Sequence, residues 1–181
     1  MRVISGEARG RRLTTPPGRL TRPTSDRVRE MIFDILAFRW QGGAVLDVFA
    51  GSGALGIEAL SRGAERAVFV DSHAEALKAI SANLRACRFE ARASVRRGDF
   101  RAILKMLAAR REKFSLLFVD PPYESGYYAE VIPLLTPLLG QDAWIVLESA
   151  KRETLPDVPA DWTLHRQRTV GHTMISIYHY V

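Results

Sequence analysis

The 181 residues include a single cysteine, Cys87, so no disulfide can close within the chain and the cysteine-stapled frameworks of small secreted domains are excluded. No uninterrupted apolar run approaches the ~20 residues that a membrane-spanning helix needs. The opening MRVISGEARGRR carries charge where a secretion signal requires an apolar stretch. His73, His165, His172 and His179 are scattered, with no cysteine or histidine at ligand spacing, which argues against a metal site. Internal repeats and low-complexity tracts are also missing. Lysine is scarce, four against 22 arginines. A soluble cytoplasmic protein, without metal and without a membrane partner, is the expectation.

What is present is one core's worth of apolar residues, 47% of the chain, with an uneven charge. Residues 1–40 hold nine arginines against four acids, +5 of the net +6, which leaves +1 for the remaining 141 residues. Arginine offers a planar fork suited to phosphate and to stacking on bases, and a basic arm on a near-neutral body points to nucleic acid. Residues 5–25 are rich in Gly, Arg, Thr and Pro, which predicts an extended arm that is mobile until it meets a partner. From Asp26 to Leu36 the apolar positions Val28, Met31, Ile32, Ile35 and Leu36 recur at helical spacing, with Ser25 or Asp26 as cap.

From about residue 44, short apolar runs alternate with helical patterns. AVLDVF (44–49), AVFVD (67–71), ASVRRGD (93–99), FSLLFVD (114–120) and AWIVLES (143–149) read as strands, with helices between them, the last of these from about 127 to 139. Continuous apolar strands separated by helices of this length predict βαβ units and a parallel sheet covered on both faces. WTLHRQRTV and MISIYHYV flank Gly171-His172-Thr173, so the chain is expected to close on an antiparallel hairpin. The division is then an arm and helix over 1–40 and an α/β domain over 41–181, doubly wound, with a mostly parallel seven-stranded sheet.

In such a sheet the ligand lies beyond the carboxyl ends of the strands, where the winding reverses. Acids stand at four successive strand ends: Asp47, Asp71, Asp99 and Asp120. Gly51, Gly53 and Gly56 satisfy G-x-G-x-x-G, with Asp71 twenty residues beyond Gly51. That pattern serves nicotinamide enzymes and S-adenosylmethionine enzymes alike, but Asp47 separates them. A carboxylate facing the glycine loop repels a pyrophosphate, whereas S-adenosylmethionine carries an ammonium and a sulfonium and no phosphate. Asp71 would accept from the ribose hydroxyls and Asp99 from the adenine amino group, since a carboxylate only accepts. Phe49, closing the first strand, and Phe100, just past the third, complete the candidate donor contacts.

Asp120-Pro121-Pro122-Tyr123 carries the second half of the chemistry. An exocyclic base amine is a poor nucleophile because its lone pair is delocalised into the ring. Acceptors that bind its N–H groups favour the pyramidal geometry needed for attack, and Asp120 and the Pro121 carbonyl supply two. Prolines stiffen the loop and leave its carbonyls free, and Tyr123 offers a face for stacking a flipped base.

Asp-Pro-Pro-Tyr with the upstream Asp-x-Phe-Ala-Gly-Ser-Gly loop resembles the amino-group methyltransferases of nucleic acids. A narrower pattern is carried by Arg2-Val3-Ile4-Ser5-Gly6, Gly10-Arg11-Arg12-Leu13, Arg22-Pro23-Thr24-Ser25-Asp26-Arg27-Val28-Arg29-Glu30 and Leu55-Gly56-Ile57-Glu58-Ala59-Leu60-Ser61-Arg62-Gly63-Ala64. With these the chain resembles, over nearly its whole length, the bacterial 16S ribosomal RNA guanine-N2 methyltransferases of the guanine 966 type. The resemblance implies a Rossmann-like class I methyltransferase fold, S-adenosylmethionine as donor with S-adenosylhomocysteine as product, and 16S rRNA in partly or fully assembled small subunits as partner. Relatives often carry Glu where Asp71 stands, and either is a carboxylate at the same strand end. The basic arm supplies the candidate RNA contacts, Arg9, Arg11, Arg12, Arg22, Thr24 and Arg27. The Asp-Pro-Pro-Tyr loop by itself fits an adenine-N6 enzyme acting on DNA or RNA equally well, and the N-terminal pattern favours the guanine enzyme. A nicotinamide oxidoreductase is disfavoured by Asp47, and an inactive RNA-binding relic by the intact acids.

Overall fold

The computed structural model describes residues 1–16, 25–122 and 125–181. β1 (Gly43–Val48), β2 (Ala64–Asp71), β3 (Ala93–Arg97), β4 (Phe114–Val119) and β5 (Leu139–Ala150) are parallel, and β6 (Trp162–Val170) and β7 (Thr173–Tyr180) form the terminal hairpin. The sheet order is β3-β2-β1-β4-β5-β7-β6, with β7 antiparallel between β5 and β6. The winding therefore reverses between β1 and β4. The hairpin turn is Gly171-His172, where φ of 62° at Gly171 suits a residue without a Cβ.

Pairing in register places residues on one face, and two cores result. Phe69, Phe118, Val146 and Ile177 pack beneath α1 (Asp26–Leu36), α2 (Ala54–Ser61) and α3 (Ala74–Cys87). Val68, Leu46, Leu117 and Ile145 pack beneath α4 (Phe100–Ala109) and α5 (Tyr128–Leu135). α1 begins where Ser25 Oγ accepts from the Val28 amide and buries Val28, Ile32, Phe33 and Leu36. Every residue of α2 is buried, as befits a helix with little charge. α5 ends sooner than its apolar pattern suggests. A 3-10 turn over Thr136–Leu138 follows, with Pro137 unable to continue the helix, and β5 starts at Leu139.

The expectation of a mobile arm is overturned for residues 1–16. Val3, Ala8 and Leu13 are buried in the same core as α1 and α2. Arg2 and Arg12 form an antiparallel bridge, so the arm doubles back on itself. Several of its amides bond its own carbonyls, and those of Ile4, Ser5, Ala8 and Thr14 are satisfied by side chains of the domain. Glu58, fully buried on α2, accepts from the Ile4 and Ser5 amides, and Ser61 Oγ accepts from the Ala8 amide and donates to the Ser5 carbonyl. Gly6 makes this fit possible, since a Cβ there would lie 1.8 Å from the Ser61 carbonyl oxygen. Buried Arg29 donates to the Arg2 carbonyl and to Asp26. Glycine supplied closeness rather than mobility, and polar groups on α2 add to the anchoring by Val3, Ala8 and Leu13.

Candidate active site

The first candidate element is the turn leaving β1. Phe49 takes a left-handed φ of 63°, unfavourable for a bulky residue and tolerated where surrounding structure enforces it. The chain then bends through Gly51 (φ 56°) and Gly53 (φ 75°) into α2. A Cβ on Gly56 would meet the Phe69 ring at 2.4 Å, so the third glycine exists for close packing of α2 on β2.

Two of the strand-end acids hold this loop. Asp47, 2% exposed, accepts from the Gly56 amide at 2.9 Å. Asp71 accepts from the Gly51 amide at 2.9 Å with one oxygen and from the His73 amide with the other. Asn83 on α3 closes the ring of contacts by donating to the Ser52 and Thr14 carbonyls, which ties loop and arm together. Asp99 behaves differently. Its exposed side chain caps α4, accepting from the Arg101 amide, and pairs with the Arg101 guanidinium. Its contacts in the free protein are those of a helix cap.

Opposite the loop, across the β1–β4 crevice, Asp120 leads into Pro121, which is buried, and Pro122, which is exposed. Tyr123 lies outside the described residues, as do Arg22 and Thr24. Val119 pairs with Leu147, so Asp120 stands next to Glu148 at the end of β5. Asp47, Asp120 and Glu148 all project on the face that carries Phe118 and Val146. Glu148 was legible by the same strand-end rule that marked the other acids, extended to the fifth strand.

The electrostatics follow from this crowding. Burial pushes the Asp47 carboxyl up to about 8, opposed by the Gly56 amide and reinforced by Asp71. Asp120 is raised well above the usual carboxylate range by burial, then by Glu148 and Asp47. Among the described residues no salt bridge reaches Asp47 or Asp120. A positively charged ligand bound beside Asp47 and Asp120 would favour their ionised forms, whereas a phosphate there would be repelled by them.

An aromatic wall lines the same end of the sheet. Phe49 stacks on Tyr127 at 5.9 Å between centroids and packs against Phe100 at 4.9 Å. Arg101 covers Phe100 and Tyr127 and is clamped by both carboxylate oxygens of Glu130. Tyr127 escapes a sequence reading because only the fold of α5 brings it to Phe49.

Arg9, Arg11, Arg12 and Arg27 are all exposed, the first three on the docked arm and the last on α1.

A glycine loop braced by acids at the switch point, in a seven-stranded sheet with an antiparallel β7 next to last, is the architecture of the class I methyltransferases. The chain belongs to the family described as Conserved hypothetical protein 95, whose model matches residues 1–179. Escherichia coli ribosomal RNA small subunit methyltransferase D is 38% identical over 184 residues, covering 98% of this chain and 89% of that protein. The Haemophilus influenzae protein of the same name is 33% identical, covering 98% and 93%. A Thermus thermophilus hypothetical protein of solved structure superposes with a TM-score of 0.84 at 32% identity, covering 98% of each chain. This protein is a methyltransferase.

Proposed function

We propose that this methyltransferase transfers a methyl group from S-adenosylmethionine to the exocyclic N2 amine of one guanine, of the 966 type, in the 16S rRNA of the small ribosomal subunit. The observation that carries the reading is the pair of buried carboxyls, Asp47 braced against the glycine loop and Asp120 leading into Pro121-Pro122 across the crevice. When bound, the donor supplies an electrophilic methyl on a sulfonium; the protein's part is to hold and orient.

Asp47 would balance the donor's positive charge, and Asp71 would accept from its ribose hydroxyls through lone pairs not used by the Gly51 and His73 amides. Gly51 and Gly53 let the backbone approach closely, and Phe49 and Phe100 would line one wall beside the adenine, with Asp99 near its amino group. Ionised Asp120 accepts from one N–H of the target amine and the Pro121 carbonyl from the other, which draws the nitrogen toward pyramidal geometry. Pro122 stiffens the loop, and Tyr123 would stack on the flipped base. Arg9, Arg11, Arg12, Arg22, Thr24 and Arg27 would contact the RNA backbone; of these, Arg9, Arg11 and Arg12 on the docked arm and Arg27 on α1 are exposed.

The names of the relatives at 33–38% identity support ribosomal RNA as substrate. The test is to incubate the protein and radiolabelled S-adenosylmethionine with small subunits, and separately with deproteinised 16S rRNA, from a strain lacking its own enzyme, then to map the label. Label on N2 of a single guanine is the expected result. Label on adenine N6, or none on either substrate, overturns the proposal.

A further inference from the structure

On the face that carries α1, the sheet continues past the acid cluster into a basic groove. Residues paired in register lie side by side on one face, and two such rows run outward from the active site. One passes through Asp47, Phe118, Val146 and Ile177 to Arg166, and the other through Glu148 and Ile175 to Arg168. β6 runs parallel to β5, so its Val170 end lies at the catalytic side of the sheet. At about 4.8 Å per strand, Arg168 stands roughly 10 Å from Glu148.

A bulge decides which residues of β6 look this way. Thr163 and Leu164 pair with His179 and Tyr178, but Ile177 pairs with Arg166, one residue out of step. Strict alternation would have turned Arg166 and Arg168 to the opposite face; the extra residue at His165 turns both toward α1. With Arg27, Met31, Ile35 and Arg39 of the α1 segment, and with His165, they line a groove of about 510 Å³. Its four arginines face two acids, Glu30 and Asp34, a surplus of two positive charges. Among the described residues no salt bridge engages Arg27, Arg39, Arg166 or Arg168. The same field is felt by His165, which is held below its ordinary pKa by burial and then by Arg39 and Arg166. Past the groove's far end, Phe38 is 100% exposed with φ of 65°, a face on which an unpaired base can stack.

We propose that the groove between α1 and the edge strand β6 is a second RNA-binding surface, which seats backbone phosphates of the rRNA strand as it leaves the active site. The inference rests on the ribosomal RNA reading above and adds to it a path: Arg27 and Arg168 take phosphates beside the flipped nucleotide, and Arg166 and Arg39 take those farther on. The docked arm, held against α2 and α3, then grips the RNA at a separate place.

The variant Arg166→Ala/Arg168→Ala tests it. Both side chains are exposed, so melting temperature and S-adenosylmethionine affinity, read by thermal denaturation and calorimetry, should match the wild type. Affinity for deproteinised 16S rRNA is expected to fall at least tenfold, and the slope of log affinity against log salt to flatten by about 1.4 to 1.8 when two phosphates are no longer neutralised. Arg166→Lys/Arg168→Lys, which keeps the charge, should recover most of both. Wild-type protein that methylates rRNA beside a double-alanine variant with unchanged rRNA affinity and slope overturns the groove while leaving the activity standing. Loss of affinity for assembled subunits alone, with naked rRNA bound normally, also overturns it, because the groove would then recognise a ribosomal protein. Wild-type protein that methylates neither rRNA nor subunits points to failure of the underlying reading.

Discussion

Burial raises the Asp47 and Asp120 carboxyls above the usual carboxylate range, and a bound cation opposes that shift. With its pKa at about 8, Asp47 keeps its proton in the free protein at pH 7. Binding of the positively charged donor should therefore expel about one proton at pH 7, and progressively less above pH 8. Calorimetry in buffers of different ionisation enthalpy reads that number, and an undiminished release in Asp47→Asn would exclude Asp47 as its source. The sign for stability follows from the same shift. The unfolded chain loses this proton near pH 4 and the folded one near 8, so the group erodes stability as pH rises between those values. Asp47→Asn should gain melting temperature relative to wild type across that window. If Asp120 meets the target amine rather than the donor, as proposed, Asp120→Ala should lower kcat by on the order of 10²–10⁴-fold with donor affinity nearly unchanged. Glu148 acts on Asp120 through its charge. Glu148→Gln should shift the acid limb of the kcat/KM profile to lower pH, since removing a negative neighbour lowers the Asp120 pKa; an unmoved limb rules the coupling out.

At the scale of elements, the arm and the glycine loop form one unit through Asn83. Its amide donates to Thr14 and Ser52 and accepts from the Thr14 amide and hydroxyl, so all four of its hydrogen-bonding positions are used. Asn83→Ala leaves the buried Ser52 carbonyl without that partner and should cost about 1–3 kcal/mol in denaturant unfolding, with weaker donor binding as the loop loosens. The arginines of the arm separate cleanly from this role. Arg9, Arg11 and Arg12 are exposed while Val3, Ala8 and Leu13 hold the core. Replacing the three arginines by alanine should preserve the melting temperature, weaken RNA binding and flatten its salt slope by roughly two to three units. A lowered melting temperature with RNA affinity intact would reduce the arginines to a structural part.

At the scale of the molecule, the docked arm and the α1–β6 groove both present exposed arginines, and the strand ends that bear Asp47 and Asp120 lie between them. A cationic donor and an anionic backbone are thereby sorted by sign within one small domain. If about six phosphates are engaged, affinity for 16S rRNA should drop by on the order of 10³-fold between 50 and 200 mM salt, while donor affinity changes little. Parallel titrations of both ligands over that range check it, and a flat RNA response would mean that base contacts, not phosphates, supply the binding.

The amino-acid sequence by itself determined the alternation of strands and helices, the switch-point loop and the acids that follow four strands. These depend on periodicity and turn chemistry within a dozen residues, and AVLDVF, the Gly51–Gly56 turn and Asp120-Pro121-Pro122 carry them locally. Tertiary structure alone decided the rest. The arm reads as unanchored until Glu58 and Ser61, more than fifty residues away, meet its amides and Gly6. Glu148 joins Asp120 only because β5 pairs beside β4, and Tyr127 reaches Phe49 only through the path of α5. The outward face of β6 turned on a single extra residue at His165, which reverses the direction of every side chain beyond it. Burial, charge coupling and register are distances between residues far apart in the chain, and no local pattern encodes them.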